Sequence, residues 1–237
     1  MTASASHPLP LGEIDHWVFD LDNTLYPASK SLFPQIDARM KRFIARLLDL
    51  PIDQAHALQK KYYRDYGTTL RGLMTVHGID PREFLEFVHD IDHGVLERSP
   101  RLDAALGRLP GRKVVFTNGS RPHAEKVLRA LGVEDRFDAI FDIVDADYIP
   151  KPDPRPYGEL SRALGVDPTR AVMVEDLERN LVPAADLGMI TVLLHQPGHP
   201  DLPDGAPPPS ALPHVHHVIT DLDAWLEELG LQSVSGA

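Results

Sequence analysis

Val18-Phe19-Asp20-Leu21-Asp22-Asn23-Thr24-Leu25-Tyr26 is the stretch on which the reading of this chain turns. A mainly apolar run from Ile14 to Phe19 leads straight into two carboxylates two residues apart, then into small polar groups. On a strand, residues i and i+2 point the same way. Asp20 and Asp22 are therefore expected side by side where a strand meets its loop. Two acids held together repel unless a cation or a proton relieves them. The pair is a candidate for metal-assisted chemistry, although Asp22-Asn23-Thr24 by itself also reads as a turn with a side-chain cap. The partners supplied by the rest of the chain decide between the two.

The 237 residues suit one large domain or a domain carrying a sizeable insertion, and 43% hydrophobic residues are enough for a substantial core. No apolar run approaches the ~20 residues of a membrane span. Met1 to Pro10 is a polar arm without the basic and apolar regions of a signal peptide. The absence of cysteine excludes disulfides, thiolate metal sites and cysteine nucleophiles. Together these features favour a cytoplasmic location. A net charge of −11 argues against a nucleic-acid polymer or an anionic membrane as partner. The charge is uneven: residues 27–100 hold 11 Lys+Arg and 10 Asp+Glu, a net of +1, so the remainder carries −12. An anionic substrate needs local cations, and the 27–100 segment is the natural source.

That segment reads as helical throughout. Ile36, Met40, Phe43, Ile44 and Leu47 recur at spacings of three and four. Pro51-Ile52-Asp53 opens a second helix, with Asp53 as its cap and Gly67 as its stop. A third fits Thr69 to His77, ended by Gly78. Asp80-Pro81-Arg82-Glu83 starts a fourth, with an acid cap and proline at the first helical position. After Pro100, helices and strands alternate: helix Leu102–Leu109, strand Lys113–Thr117, and a helix from Ser120-Arg121-Pro122 closed by Gly132. Next come helix Tyr157–Leu164, strand Ala171–Val174, helix Leu181–Leu187 and strand Thr191–Leu194. Gln196–Pro213 reads as an irregular loop. Val218-Ile219-Thr220 and Leu222–Leu229 add an edge strand and a closing helix, and His214, His216 and His217 are expected to be solvated. This alternation implies an α/β fold, a doubly wound and mostly parallel sheet with helices on both faces. Such sheets bind ligands at the carboxyl ends of their strands.

Those ends carry groups that fit one reaction. The first strand delivers Asp20 and Asp22, the second Thr117 and Asn118, the third is followed by Lys151, and another ends at Glu175-Asp176. Asp20 can attack phosphorus; Asp22 can protonate the leaving oxygen and later activate water. Thr117, Asn118 and Lys151 can bind the non-bridging phosphate oxygens. Asp20, Asp176 and a backbone oxygen at Asp22 can hold Mg²⁺, with Glu175 completing the acidic set. The metal would offset repulsion between an anionic nucleophile and an anionic phosphate. Pro183 disfavours a helix interior, so the helix after Asp176 is expected near Asn180, which either caps it or orients the phosphate loop.

Asp20-x-Asp22-Asn23-Thr24, Thr117-Asn118, Lys151-Pro152 and Glu175-Asp176 resemble the four motifs of the haloacid dehalogenase-like (HAD) phosphohydrolases. The resemblance covers about Ile14 to Leu194. It implies a Rossmann-like core over 11–26 and 100–229, an inserted all-helical cap over 27–99, and flexible termini at 1–10 and 230–237. It also implies Mg²⁺ and a phosphoaspartyl intermediate. Asp22-Asn23-Thr24-Leu25-Tyr26-Pro27, then Tyr62-Tyr63-x-x-Tyr66-Gly67-x-Thr69-Leu70-Arg71-Gly72-Leu73 and His77-x-Ile79-Asp80, is similar to the pyrimidine 5′-nucleotidase subgroup. Arg71 and Tyr26 are then candidate substrate contacts, whereas Tyr62, Tyr63 and Tyr66 suit packing as well as base stacking. Leu177 stands where a hydroxyl residue is common, and Glu175 where aspartate is frequent, so the departures touch the surroundings of the metal acids.

The expected activity is Mg²⁺-dependent hydrolysis of a small phosphomonoester, a nucleoside 5′-monophosphate in the first instance, by a monomer or homodimer. The alternatives are a phosphatase of another metabolite, a sugar phosphomutase, or a non-catalytic ligand-binding or regulatory protein on the same scaffold. A dehalogenase needs neither Asp22 nor the Glu175-Asp176 pair.

Overall fold

The structure is a computed structural model that describes residues 9–30, 32–196 and 212–235. Most of the expected N-terminal arm, most of the Gln196–Pro213 loop and the last two residues lie outside them. Six strands form a single sheet in the order β3-β2-β1-β4-β5-β6. They are β1 His16–Phe19, β2 Arg112–Phe116, β3 Ala139–Phe141, β4 Ala171–Glu175, β5 Ile190–Leu194 and β6 His217–Ile219. Every neighbouring pair is parallel. The fold is an α/β, Rossmann-like sheet, as the alternation of elements implies.

β1 occupies the middle, with Val18 opposite Val114 of β2 and Met173 of β4. All four of its residues are buried, because a central parallel strand is covered on both faces. Trp17 and Phe19 enter one core cluster with Val115 and Val174; Val18 enters the other with Val114, Met173 and Tyr157. Burying each such large apolar side chain contributes about 1.5–3 kcal/mol. The Trp17 indole also donates to the Pro110 carbonyl at 2.8 Å, so its polar atom is satisfied. β3 has only three residues at the sheet edge, too few for a readable pattern, and the sequence placed no residues in it. Lys151 consequently lies not at a strand end but after the turns that follow β3.

The first four of the five α-helices described between β1 and β2 are α1 Leu32–Leu48, α2 Ile52–Tyr66, α3 Thr69–His77 and α4 Pro81–Val88. They share an apolar cluster of their own, built on Ile36, Ile44, Leu73 and Phe84 and joined by Ile143 from beyond β3. Thr68 and Asp80 cap α3 and α4, accepting from the backbone N–H groups of Arg71 and Arg82. α3 ends on Gly78 at φ 64°, a left-handed conformation that glycine adopts without strain. A Cβ at Gly72 would come within 2.4 Å of Tyr62 Cβ, so a missing side chain is what lets α3 approach α2. Two expectations fail in detail. Asp53 sits inside the first turn of α2, behind Pro51 at the cap, and acts there through its charge on the helix dipole. Leu47 is 40% exposed, at the edge of the apolar stripe.

The remaining helices are α5 Pro100–Arg108, α6 Arg121–Leu131, α7 Pro154–Leu164, α8 Glu178–Asp186 and α9 Leu222–Ser235. α8 starts two residues earlier than Pro183 suggested. Its first turn is closed by Asn180 N–H donating to the Leu177 carbonyl at 2.9 Å, and Pro183 is accommodated inside the helix. α9 continues past residue 229, where the flexible tail was expected to follow. The loop histidines have partners, although His216 is exposed, as expected, and His214 and His217 are partly buried. His214 Nε2 lies 2.9 Å from Glu178 Oε1, His216 Nδ1 lies 2.7 Å from Thr191 Oγ1, and His217 begins β6. No helix among the described residues is long and apolar enough to cross a membrane.

Candidate active site

The carboxyl ends of β1, β2 and β4 are neighbours in the sheet, and they open on a cavity of about 200 Å³ facing α1–α4. Asp20, Asp22, Thr117, Asn118, Lys151, Glu175 and Asp176 all line it. The reason differs from the strand argument. β1 stops at Phe19, and the chain turns at once, with Leu25 N–H donating to the Leu21 carbonyl at 3.0 Å. Asn23 takes φ 65° there, a conformation that asparagine tolerates better than most residues. Gln196, beyond β5, donates to the Asn23 carbonyl at 3.0 Å and so ties the turn down.

Lys151 is the centre of the charged cluster. Its Nζ donates to Asp20 Oδ1 at 2.7 Å, Glu175 Oε1 at 2.8 Å and the Phe116 carbonyl at 2.8 Å. Burial alone would lower its pKa, but Asp20 and Glu175 hold it well above the usual lysine range. Glu175 also accepts from Asn180 Nδ2 at 2.6 Å and from Leu177 N–H at 2.8 Å. Burial would raise this carboxyl, and Lys151 with the other donors holds it low. Asn180 therefore does not cap α8; it lines the cavity and its Nδ2 orients Glu175.

Asp20 is pushed up to about 7, by burial first and then by Glu175 and Asp22, against the pull of Lys151. Asp176 is raised well above the carboxylate range by burial and by repulsion from Glu175 and Asp20. The three acids bring carboxylate oxygens within 4.8 Å of one another. Buried like charges in that arrangement are stabilised by a cation, and an all-oxygen donor set suits a hard divalent one. Because Glu175 already accepts three hydrogen bonds, Asp20 and Asp176 are the better placed pair. The residues present fit such an ion.

On the opposite wall, Thr117 Oγ1 accepts from Gly119 N–H at 2.9 Å, which leaves its hydroxyl hydrogen for another acceptor. Asn118 brackets the backbone of Lys151, accepting from its N–H at 2.8 Å and donating to its carbonyl at 3.3 Å. Its amide thus positions the lysine, and the second Nδ2 hydrogen is left for another acceptor in the cavity. Thr24 Oγ1 donates to Asp20 Oδ2 at 3.0 Å.

Asp22 has partners of a kind the sequence did not indicate. Tyr26 donates to its Oδ1 at 2.5 Å, and His123 Nε2 approaches the same oxygen at 2.9 Å. Burial would raise Asp22, but His123 and Tyr26, with His89 behind them, hold it at about 2. His123 Nδ1 lies 3.1 Å from His93 Nε2, and His93 Nδ1 lies 3.1 Å from the Ile91 carbonyl. Three hydrogen bonds in this chain need three protons, and two neutral imidazoles carry only two. The third sits on Asp22 or on an imidazole. The one sequence signal that could have found His123 is its place in the first turn of α6, the helix that starts just past the functional end of β2.

Neither candidate substrate contact behaves as expected. Arg71 is not among the residues lining the cavity; its charge is felt by Asp153, a carboxylate already held low by Arg155. The Tyr26 hydroxyl is engaged with Asp22 inside the protein. Of the three tyrosines, Tyr62 packs edge-on to Tyr66 and bonds His77 Nε2 at 2.7 Å. Tyr63 does reach the cavity, where its ring lies 4.9 Å from the guanidinium carbon of Arg179. The cations at the mouth are Lys60 and Arg179.

A family model described as haloacid dehalogenase-like hydrolase matches residues 14–188. The chain belongs to that family. Among HAD relatives, it is 29% identical over 189 residues to phosphate metabolism protein 8 of Saccharomyces cerevisiae, covering 72% of this chain. It spans 58% of the length of that yeast protein. It is 28% identical over 203 residues to a glyceraldehyde 3-phosphate phosphatase of Methanopyrus kandleri, covering 78% of this chain and 85% of the relative. A solved HAD phosphatase from Thermococcus onnurineus superposes with a TM-score of 0.61 at 20% identity, over 92% of this chain and 98% of the other. That likeness shows the shared HAD fold.

Proposed function

We propose that this protein is a phosphatase that hydrolyses small phosphomonoesters with Mg²⁺ through a phosphoaspartyl intermediate on Asp20. The observation that carries this reading is Lys151 Nζ held 2.7 Å from Asp20 Oδ1, in the cavity that also holds Asp22 and Asp176. A carboxylate oxygen of Asp20 attacks phosphorus and forms an acyl phosphate. The bond from phosphorus to the leaving oxygen breaks, and that oxygen takes its proton from Asp22. In the second half Asp22 accepts a proton from water, whose oxygen attacks the phosphorus and frees Asp20 and inorganic phosphate. A low Asp22 pKa suits the second half. For the first, the negative charge of a bound phosphate drives protonation of Asp22 by like-charge repulsion. The Thr117 hydroxyl is a donor for a non-bridging oxygen, and Lys151, whose three N–H groups are engaged, supplies positive charge beside it. Asp20, Asp176 and a backbone oxygen at Asp22 would hold Mg²⁺, which would supply positive charge to ease the approach of two anions.

The helical insertion acts as a cap that covers the site and selects the group attached to the phosphate. Phe33, Ile36, Met40, Phe84 and Leu85 make an apolar wall opposite the acids, suited to a flat or apolar leaving group. We favour a nucleoside 5′-monophosphate on the resemblance of this segment to pyrimidine 5′-nucleotidases. The phosphatase names of the relatives support the reaction; their differing substrates do not favour one base. The test is phosphate release from UMP and from an aryl phosphate with Mg²⁺. Asp20→Asn keeps the shape and removes the nucleophile, so release should drop to background. Retained turnover excludes Asp20 as nucleophile.

A further inference from the structure

The proposed chemistry leaves three imidazoles behind Asp22 without a role, two of them buried and His93 half-buried. We infer that His123 is the positioning residue for Asp22: together with Tyr26 it pins Oδ1 and so presents Oδ2 to the leaving oxygen. The inference rests on the phosphatase reading above.

Both contacts, at 2.9 and 2.5 Å, fall on the same oxygen. Oδ2 carries neither of these bonds; it lies 3.6 Å from where a Cβ of Gly119 would stand, a point itself 3.2 Å from both Thr117 Oγ1 and His123 Cδ2. Asp22, Gly119 and Thr117 line one cavity, so Oδ2 is the oxygen left for a group bound there. An aspartate has two rotatable bonds, and one pinned oxygen removes both freedoms. The His123 ring is itself immobile. Its side chain is fully buried, and His89 stacks on it at 4.4 Å between centroids and 13° between planes. His93 holds its far nitrogen at 3.1 Å, and His89 is anchored in turn to Ser120 Oγ at 2.9 Å. His89 and His93 both come from the segment that leaves the helical insertion, immediately after α4. The exit of the insertion therefore braces the acid/base group from behind. A misplacement of about 1 Å at such a group costs on the order of 10²-fold in rate.

The test is leaving-group dependence, which a merely structural role would not move. kcat/KM reports transfer to Asp20, where an alkyl ester needs its leaving oxygen protonated far more than p-nitrophenyl phosphate does. His123→Leu should lower kcat/KM about 10²-fold on glycerol 2-phosphate and roughly ten times less on p-nitrophenyl phosphate. His123→Gln, whose amide can donate from near the Nε2 position, should restore most of the alkyl-ester activity. His93→Leu, on a half-buried residue, should show the same ordering at smaller size and serves if His123→Leu melts early. Equal losses on the two esters, or His123→Gln no better than His123→Leu, would overturn the inference. Wild-type protein inert toward both esters would sink the phosphatase reading instead, and this one with it.

Discussion

The sheet edge and the helical insertion face the same cavity, yet they handle charge in opposite ways. At the sheet edge Lys151, Asp20, Glu175 and Asp176 are all buried, and Lys151 alone makes three hydrogen bonds. In the insertion the ion pairs stand largely outside, as between Arg82 and Asp80 or Lys61 and Asp65, and the cavity wall is apolar. Breaking a buried pair costs about 3–5 kcal/mol because a charge is stranded, whereas exposed pairs contribute about 0–1 kcal/mol. The difference teaches where change is tolerated. The sheet edge should accept almost no substitution; on the proposed reading, the apolar wall supplied by α1 and α4 can change with less effect on the reaction, whereas His89 and His93 at the exit of the insertion cannot.

The largest effect should come from Lys151→Met. It leaves Asp20 and Glu175 without their shared cation, so urea unfolding should show a loss of about 3–5 kcal/mol, and turnover should fall to background. A mild loss of stability would mean that the buried cluster is less tightly coupled than its geometry indicates. On the insertion side, Met40→Ala enlarges the apolar wall. Its expected result is a change of about tenfold in the ranking of kcat/KM between a bulky and a small monoester. Loss of activity on both alike would erase the contrast between the two regions.

Proton competition gives a smaller effect, confined to the sheet edge. Asp20 is raised from 3.8 to about 7 on folding. A group raised in this way favours the fold when protonated, at low pH, and that contribution is lost as pH rises through about 7. If Mg²⁺ binds at Asp20 as proposed, it displaces that proton and should raise the melting temperature more at pH 8 than at pH 6, by about 2–4 °C. Equal shifts at the two values would remove Asp20 from the metal set. The smallest effect is expected from Arg82→Ala on the outer face of α4, within about 0.5 kcal/mol in urea. A larger loss there would make the insertion's surface pairs structural after all.

What could be read from the sequence follows the same division. Asp20, Asp22, Lys151 and Asp176 were legible because each sits in a short local pattern; the topology of a parallel sheet then brings the acids together at strand ends, and the turns after β3 add Lys151. The helices of the insertion were legible from caps and periodicity, α3 to the residue. What escaped depends on contacts distant in sequence. His123 meets Asp22 across 101 positions, inside a helix whose apolar pattern hid it. Asn118 and Glu175 look like ligands in sequence, and only their hydrogen bonds to the Lys151 backbone and side chain reveal them as supports. Arg71 was chosen because the insertion had to supply positive charge, but sequence cannot say which way a helix turns its cations. The structure brings Lys60 and Arg179 to the cavity instead. β3 was unreadable for a simpler reason, its three-residue length.

The central claim is that Asp20 carries the phosphoryl group. Rapid acid quench of the protein during turnover of p-nitrophenyl phosphate with Mg²⁺, followed by peptide mass spectrometry, tests it most directly. The account predicts a phosphoryl adduct on the peptide containing Asp20, increased in amount when Asp22→Asn slows the second half-reaction and absent from Asp20→Asn. Steady phosphate release with no adduct on that peptide in either the wild type or Asp22→Asn would contradict it.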